Sequence, residues 1–164
     1  MLPEWAVVTP VRRAHIERVA SLIDDWATVM GVAAGERTRW SRAAWCHDAL
    51  RDAPAATELD HGPLAADRLE REGERDRGVL DAVRYHSLGY AGWDDAGRML
   101  YLADYLEPGR PYDVDLRATL RARVPRERDA VLKEVARRRV ERIVHTGWPL
   151  GAETVAFWNA LASR

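Results

Sequence analysis

The chain has 164 residues, with 25 Lys and Arg against 26 Asp and Glu, 5 His and a formal charge of −1. One domain over residues 1–164 is expected, since domains run roughly 100–150 residues, and a hydrophobic fraction of 47% with 31% charged residues excludes disorder as the main state. The near-neutral balance argues against nucleic acid as a partner, no apolar run is long enough for a membrane helix, Met1-Leu2-Pro3-Glu4-Trp5 opens no secretory leader, and the one cysteine, Cys46, excludes an internal disulfide, so the cytoplasm is the expected compartment.

Apolar spacing is helical nearly throughout. Thr9 and Pro10 form a cap and first turn for a helix carrying Val11, Ile16, Val19, Leu22, Ile23 and Trp26, which leaves at Gly31 to Gly35. A second helix is expected from about Thr38 or Ser41 to Asp52, stopping at Pro54. A third follows His61-Gly62-Pro63 and ends at Gly73. A fourth holds Val79, Leu80, Val83 and His86 and stops at Gly89. A fifth runs from about Asp94 to Leu106 and breaks at Pro108-Gly109. Pro125 opens a long helix through Val131, Leu132, Val135, Val140, Ile143 and Val144, ended by Gly147. The last covers about Ala152 to Ala162. No alternating strand pattern appears, so the class is all-α, a bundle of about seven or eight helices. Arg137, Arg138 and Arg139 on the long helix read as a solvated face.

The informative residues are ionisable groups inside apolar stripes. Asp104 lies in Met99-Leu100-Tyr101-Leu102-Ala103-Asp104-Tyr105-Leu106, and His47-Asp48 in Ala43-Ala44-Trp45-Cys46-His47-Asp48-Ala49-Leu50. His15 shares a stripe with Val11 and Val19, His86 follows Val83, and His61 stands at a helix entrance. Singly, each reads as a core histidine with a hydrogen-bond partner or an aspartate paired with arginine. Together, imidazoles and carboxylates suit Zn, Fe, Mn or related divalent ions. A cation also supplies the charge that buried Asp48 and Asp104 need. Asp48 can bridge two ions with its two oxygens. The long gaps between these residues place the ligands on different helices. His145, near a helix end beside Arg142, reads as structural or surface.

This ordering resembles the HD superfamily of metal-dependent phosphohydrolases. The strings His61-Gly62-Pro63, Val83-Arg84-Tyr85-His86-Ser87 and Tyr101-Leu102-Ala103-Asp104-Tyr105-Leu106-Glu107-Pro108-Gly109-Arg110 are similar to its YqeK branch, which hydrolyses diadenosine tetraphosphate symmetrically to two ADP. The similarity runs from the stretch of Arg12 to His15 as far as Thr154 and Asn159. The resemblance implies an all-helical HD domain and a nucleotide substrate. It also implies two divalent metals, iron first, with Mn, Zn, Co, Ni or Mg in its place, and a homodimer, since members are often dimers. His15, His47, Asp48 and Asp104 would hold one metal, and Asp48, His61 and His86 the other. The chain departs from the pattern at Arg51, where the family usually has Lys. It departs again at Gly151-Ala152-Glu153-Thr154 and Trp158-Asn159, where the family commonly reads His-Pro-x-Thr and then Arg-Asn.

The chemistry so implied is in-line attack on phosphorus by a hydroxide bridging two divalent metals, with Asp48 bridging the ions and orienting the nucleophile. Arg12, one turn before His15, and Arg51, one turn after Asp48, can reach a phosphate. For both, an exposed pair with a glutamate is the competing reading. Arg110 can fork a terminal phosphate and Ser87 can donate to one. Tyr85, Tyr90 and Trp93 could stack on a base, although core packing competes for Tyr85. The Gly89 to Asp95 connection carrying Tyr90 and Trp93 could form a lid. Two alternatives stand beside this function: a catalytically weak, metal-stapled nucleotide sensor, and a hydrolase of another nucleotide phosphoester.

Overall fold

A computed structural model describes residues 1–54 and 58–163. The described chain forms seven helices: α1 (Pro10–Val29), α2 (Ala34–Cys46), α3 (His61–Arg71), α4 (Arg77–Tyr85), α5 (Asp95–Leu106), α6 (Val114–His145) and α7 (Ala152–Ala162). No strand occurs among the described residues, as the missing alternation predicts. Helix starts follow local chemistry. The Thr9 hydroxyl accepts from the Arg12 amide with Pro10 in the first turn, and the Asp76 and Asp94 carboxylates cap α4 and α5 by accepting from Val79 and Ala96. None of these helices is long and apolar enough to cross a membrane.

Helix α5 is the axis of the bundle. Met99, Leu100, Tyr101, Leu102, Ala103, Asp104 and Leu106 are all buried, and α1, α2, α4 and α6 pack around it. A helix apolar on every side has no solvent face and belongs in the middle. Asp104 is therefore carried into the centre of the fold by its neighbours.

Two helices differ from the sequence expectation. Helix α2 begins at Ala34 and ends at Cys46 rather than reaching Asp52. After Cys46 the backbone tightens to i→i−3 bonds, Ala49 to Cys46, Arg51 to Asp48 and Ala53 to Leu50, and the Val7 amide takes the Ala49 carbonyl. His47 and Asp48 thus sit at a helix end, where successive side chains are free of helical spacing. Helix α6 starts at Val114, well before Pro125, and leaves helical dihedrals only at Glu127 (φ −132°, ψ 34°). Pro125 lacks the N–H that would bond to the Arg121 carbonyl. The Trp26 indole donates to that carbonyl instead, at 3.3 Å. The segment before the proline is anchored by buried Leu120 and Val124 and by Arg117, whose guanidinium binds the Tyr105 carbonyl and lies over the Tyr105 and Tyr112 rings.

The aromatic connection after α4 is not a lid. Trp93 is buried against Tyr101 and Phe157 and donates to the Asp81 carbonyl at 3.0 Å. Tyr90 stacks on Tyr85 with ring centroids 4.5 Å apart. The outer ring of the connection is thereby engaged by a neighbouring ring, and its inner ring is core.

Candidate metal centre

Six ionisable side chains from five segments meet at one end of α5. His15 projects from α1, His47 closes α2, Asp48 follows it, His61 opens α3, His86 closes α4 and Asp104 comes from α5. Helix ends carry four of these ligands because an end can be brought close to another end. At Gly62 a Cβ would lie 2.8 Å from the Arg84 carbonyl oxygen and 2.9 Å from that of Val83, so only glycine lets α3 start against the end of α4. That contact sets His61 beside His86.

All six are buried. They form two triads, His15–His47–Asp104 and Asp48–His61–His86, each with its three ligand atoms within 4.8 Å of one another. The Nε2 atoms of His61 and His86 are 3.0 Å apart, and those of His15 and His47 are 3.4 Å apart. Asp48 lies between the triads. Its Oδ1 is 3.1 Å from His61 Nε2 and 3.3 Å from His86 Nε2, while its Oδ2 is 3.7 Å from His15 Nε2 and 3.6 Å from His47 Nε2. Asp104 Oδ1 is 3.2 Å from His15 Nε2.

The imidazoles are oriented from behind. His47 Nδ1–H donates to the Ala44 carbonyl at 2.7 Å, His86 Nδ1–H to that of Val83 at 2.8 Å and His15 Nδ1–H to Glu107 at 3.2 Å. A donor at Nδ1 leaves the lone pair on Nε2, so three rings present a ligand atom to the centre. Nitrogen pairs this close repel unless a proton or a cation lies between them. The nitrogen and carboxylate donor set fits divalent metal ions.

Electrostatics agree with this geometry. Burial pushes the His47 pKa down to about 4, which keeps the ring neutral near pH 7. Burial opposes the charged form at His15 too, but hydrogen bonds to Asp104 and Glu107 outweigh it and the pKa is raised. Burial works against the Asp48 carboxylate, yet His47, His61 and His86 hold its pKa well below the usual range. Asp104 is also buried, and His15, Arg139 and Arg110 hold it low.

The expected phosphate-binding residues divide. Arg12 donates to Asp48 Oδ2 at 2.7 Å, Arg110 donates to Asp104 Oδ1 at 2.9 Å, and the Ser87 hydroxyl is 3.2 Å from His86 Nε2. Arg51 is elsewhere, donating to exposed Glu58 at 2.7 Å. His145 lies at the surface.

Three residues at the centre escaped sequence reasoning. Glu107 is 2% exposed, accepts from His15, Arg18 and the Gly109 amide, and has its pKa lowered to about 2, burial being outweighed by those partners. Its signal was present, three residues after Asp104 in the same apolar stripe. Arg18, one turn after His15, holds Glu107 in place. Arg139 corrects the solvated-face expectation for its run. It turns inward and donates to Asp104 Oδ2 at 2.7 Å, while Arg137 and Arg138 remain on the outer side with Glu134.

Residues 12–109 match the HD domain family. The symmetrical bis(5'-nucleosyl)-tetraphosphatase of Bacillus subtilis is 43% identical over 56 residues, 34% of this chain and 30% of that protein. The Staphylococcus aureus enzyme of the same name is 40% identical over 55 residues, 33% of this chain and 28% of that protein. The matched stretch therefore spans about three-tenths of the length of these curated relatives. A crystal structure from Clostridium acetobutylicum, described as a predicted HD superfamily hydrolase involved in NAD metabolism, superposes with a TM-score of 0.81. It covers 96% of this chain and 92% of that one at 20% identity, a likeness of fold.

Proposed function

The chain belongs to the HD domain family, and from that premise we propose that it is a metal-dependent phosphohydrolase cleaving dinucleoside polyphosphates, with diadenosine tetraphosphate giving two ADP. The observation that carries this reading is the placement of Asp48, with one oxygen toward each triad. His15, His47, Asp48 and Asp104 would hold one divalent cation and Asp48, His61 and His86 a second, iron first among Mn, Zn, Co, Ni and Mg. Such ions supply charge neutralisation at phosphoryl oxygens and acidify water to a nucleophile near neutral pH.

The chain's own residues supply the remainder. Around the carboxylates of Asp48, Asp104 and Glu107 stand the guanidinium groups of Arg12, Arg18, Arg110 and Arg139. The cluster is cationic before any metal is added, and a polyanion is the partner that such a charge selects. Arg12 and Arg110, each hydrogen-bonded to an aspartate of the centre, would orient phosphate by charge-assisted hydrogen bonds. Ser87 donates from the edge of the His86 ring. Arg51 joins from outside, because a substrate phosphate competes well against exposed Glu58 for its guanidinium.

The test combines elemental analysis with product identification. The metal-loaded protein is expected to carry close to two transition-metal ions and to release ADP from diadenosine tetraphosphate. Intact substrate across a panel of nucleoside polyphosphates defeats the hydrolase. The second reading, a nucleotide sensor, is favoured by Gly151 and Trp158, which stand where the HD relatives it resembles commonly have His and Arg. Tight nucleotide binding without turnover at stoichiometric enzyme would select it.

A further inference from the structure

Helix α6 sends one side chain back into the centre. Arg139 donates from Nη2 to Asp104 Oδ2 at 2.7 Å, and its Nη1 reaches the Ser87 carbonyl at 3.5 Å. Its guanidinium lies over the Tyr101 ring at 4.3 Å and within 5.4 Å of the Tyr105 ring. Cation–π contacts on the inner side fix the plane of the group, so it is positioned in advance of any ligand. The residue lies beyond the span matched to the HD domain family, which ends at Gly109.

Its protein partners leave it incompletely used. Asp104 already accepts from Arg110 on Oδ1 at 2.9 Å, with His15 Nε2 3.2 Å from the same oxygen. Glu107 Oε1 lies 3.5 Å from Arg110 Nε, and Glu107 also holds Arg18, so two carboxylates face three guanidinium groups and neutralise two. The Nε–H groups of Arg139 and Arg110 are both buried and make no hydrogen bond among the described residues, Arg110 Nε having only the ion-pair contact to Glu107 Oε1 at 3.5 Å. A buried N–H on a charged group that lacks an acceptor is a rare arrangement. A tetrahedral oxyanion offers several acceptor oxygens and suits the guanidinium fork, so one ligand could satisfy both the surplus charge and the idle donors.

We propose that Arg139 is a phosphate-binding residue of this centre, its guanidinium shared between Asp104 and an oxygen of a substrate phosphoryl group. The ligand class is a polyphosphate chain, with Arg110 and Arg139 flanking Asp104 as a pair. That the bound phosphate belongs to a hydrolysed nucleotide rests on the phosphohydrolase reading; the anion site itself does not.

The experiment titrates pyrophosphate into metal-loaded wild type, Arg139→Gln and Arg139→Lys by calorimetry, with metal content and thermal melting measured on each. Arg139→Gln is expected to bind pyrophosphate about 10- to 100-fold more weakly, the range for losing a charged hydrogen bond. Its metal content is expected to match wild type. Arg139→Lys keeps the charge without the fork and is expected to recover only part of the affinity. Should Arg139→Gln melt without cooperativity, the lysine variant decides: affinity equal to wild type overturns the proposal. The proposal is also overturned if wild type binds no pyrophosphate, if Arg139→Gln binds it unchanged, or if that variant loses metal while its loaded fraction binds normally. That last result would make Arg139 a positioning residue for Asp104. Loss of pyrophosphate affinity in Arg139→Gln, beside a wild type that leaves diadenosine tetraphosphate intact, would support the anion site and reject the substrate.

Discussion

The Asp48–His61–His86 triad and the His15–His47–Asp104 triad share ligand chemistry, burial and an aspartate placed between them, but they are held in place by different means. In the first, position comes from backbone. His61 opens α3, His86 closes α4, and the glycine contact at Gly62 locks the two ends together. One guanidinium, Arg12, touches its carboxylate, and His61 Nδ1 has no acceptor among the described residues. In the second, position comes from a charged scaffold. Asp104 accepts from Arg110 and Arg139, and His15 is backed by Glu107, itself gripped by Arg18 and the Gly109 amide. A ligand oriented by partners behind it needs less rearrangement when a cation arrives. The second triad is accordingly the preorganised half of the centre, and the first would depend more on a bound cation for cohesion.

The largest expected effect comes from removing the group common to both halves. Asp48→Ala takes one ligand from each proposed cation. Metal content should fall well below that of wild type, and ADP release should drop about 10²- to 10³-fold or more, the scale for losing a key electrostatic group. Elemental analysis and initial rates read both. Retention of one full equivalent at wild-type affinity would show that the second triad binds without Asp48, and the picture of a shared ligand would break.

Much of the ligand set was legible because burying a histidine or aspartate in an apolar stripe is costly, and that cost is visible in a single chain. His15, His47, Asp48, His86 and Asp104 stood out that way and His61 by its place at a helix entrance, and the structure brings all six together. The scaffold was harder to read. Arg139 sits in a run of three arginines whose composition matches any solvated face, and its partner Asp104 is remote in sequence. Helix α6 hid its start for a similar reason. Pro125 is a strong local signal to begin a helix, and the Trp26 indole that satisfies the carbonyl left bare by the proline is a tertiary partner. The end of α2 at Cys46 likewise depends on the Val7 amide capturing the Ala49 carbonyl. Local chemistry announces groups that need partners, while the identity of the partner emerges only with the fold.

Glu107→Gln tests the scaffold without touching a ligand. Losing the carboxylate behind His15 should weaken metal binding about 10- to 100-fold, the usual scale for outer partners of a ligating histidine. Stability gives an independent readout. The pKa of Glu107 is lowered from an ordinary 4.5 to about 2, so the unfolded chain takes up its proton first as pH falls. The stabilisation is complete above the ordinary value and is lost as pH drops through the window toward 2. Denaturant unfolding of the metal-free protein should show wild type more stable than the variant at pH 7, with the gap closing toward pH 2. A gap independent of pH would mean that Glu107 acts through packing, and the contrast between charged and backbone support would lose its basis.

The smallest effect is expected at Arg51, which marks the outer limit of the centre. Arg12 and Arg51 are both within one helical turn of a proposed ligand, yet Arg12 binds Asp48 while Arg51 binds a glutamate whose side chain is 68% exposed. An exposed pair of this kind contributes about 0–1 kcal/mol, so Arg51→Ala should melt close to wild type. Its guanidinium meets substrate only after leaving Glu58, which should appear as a rise in KM with kcat nearly kept. Arg12→Ala is expected to lower kcat, because its guanidinium is already at the Asp48 carboxylate. Equal losses of kcat in the two variants would mean that Arg51 abandons Glu58 and reaches the reacting phosphate. The positive rim would then extend to the segment after α2, and the Asp48 triad would have charged support beyond Arg12.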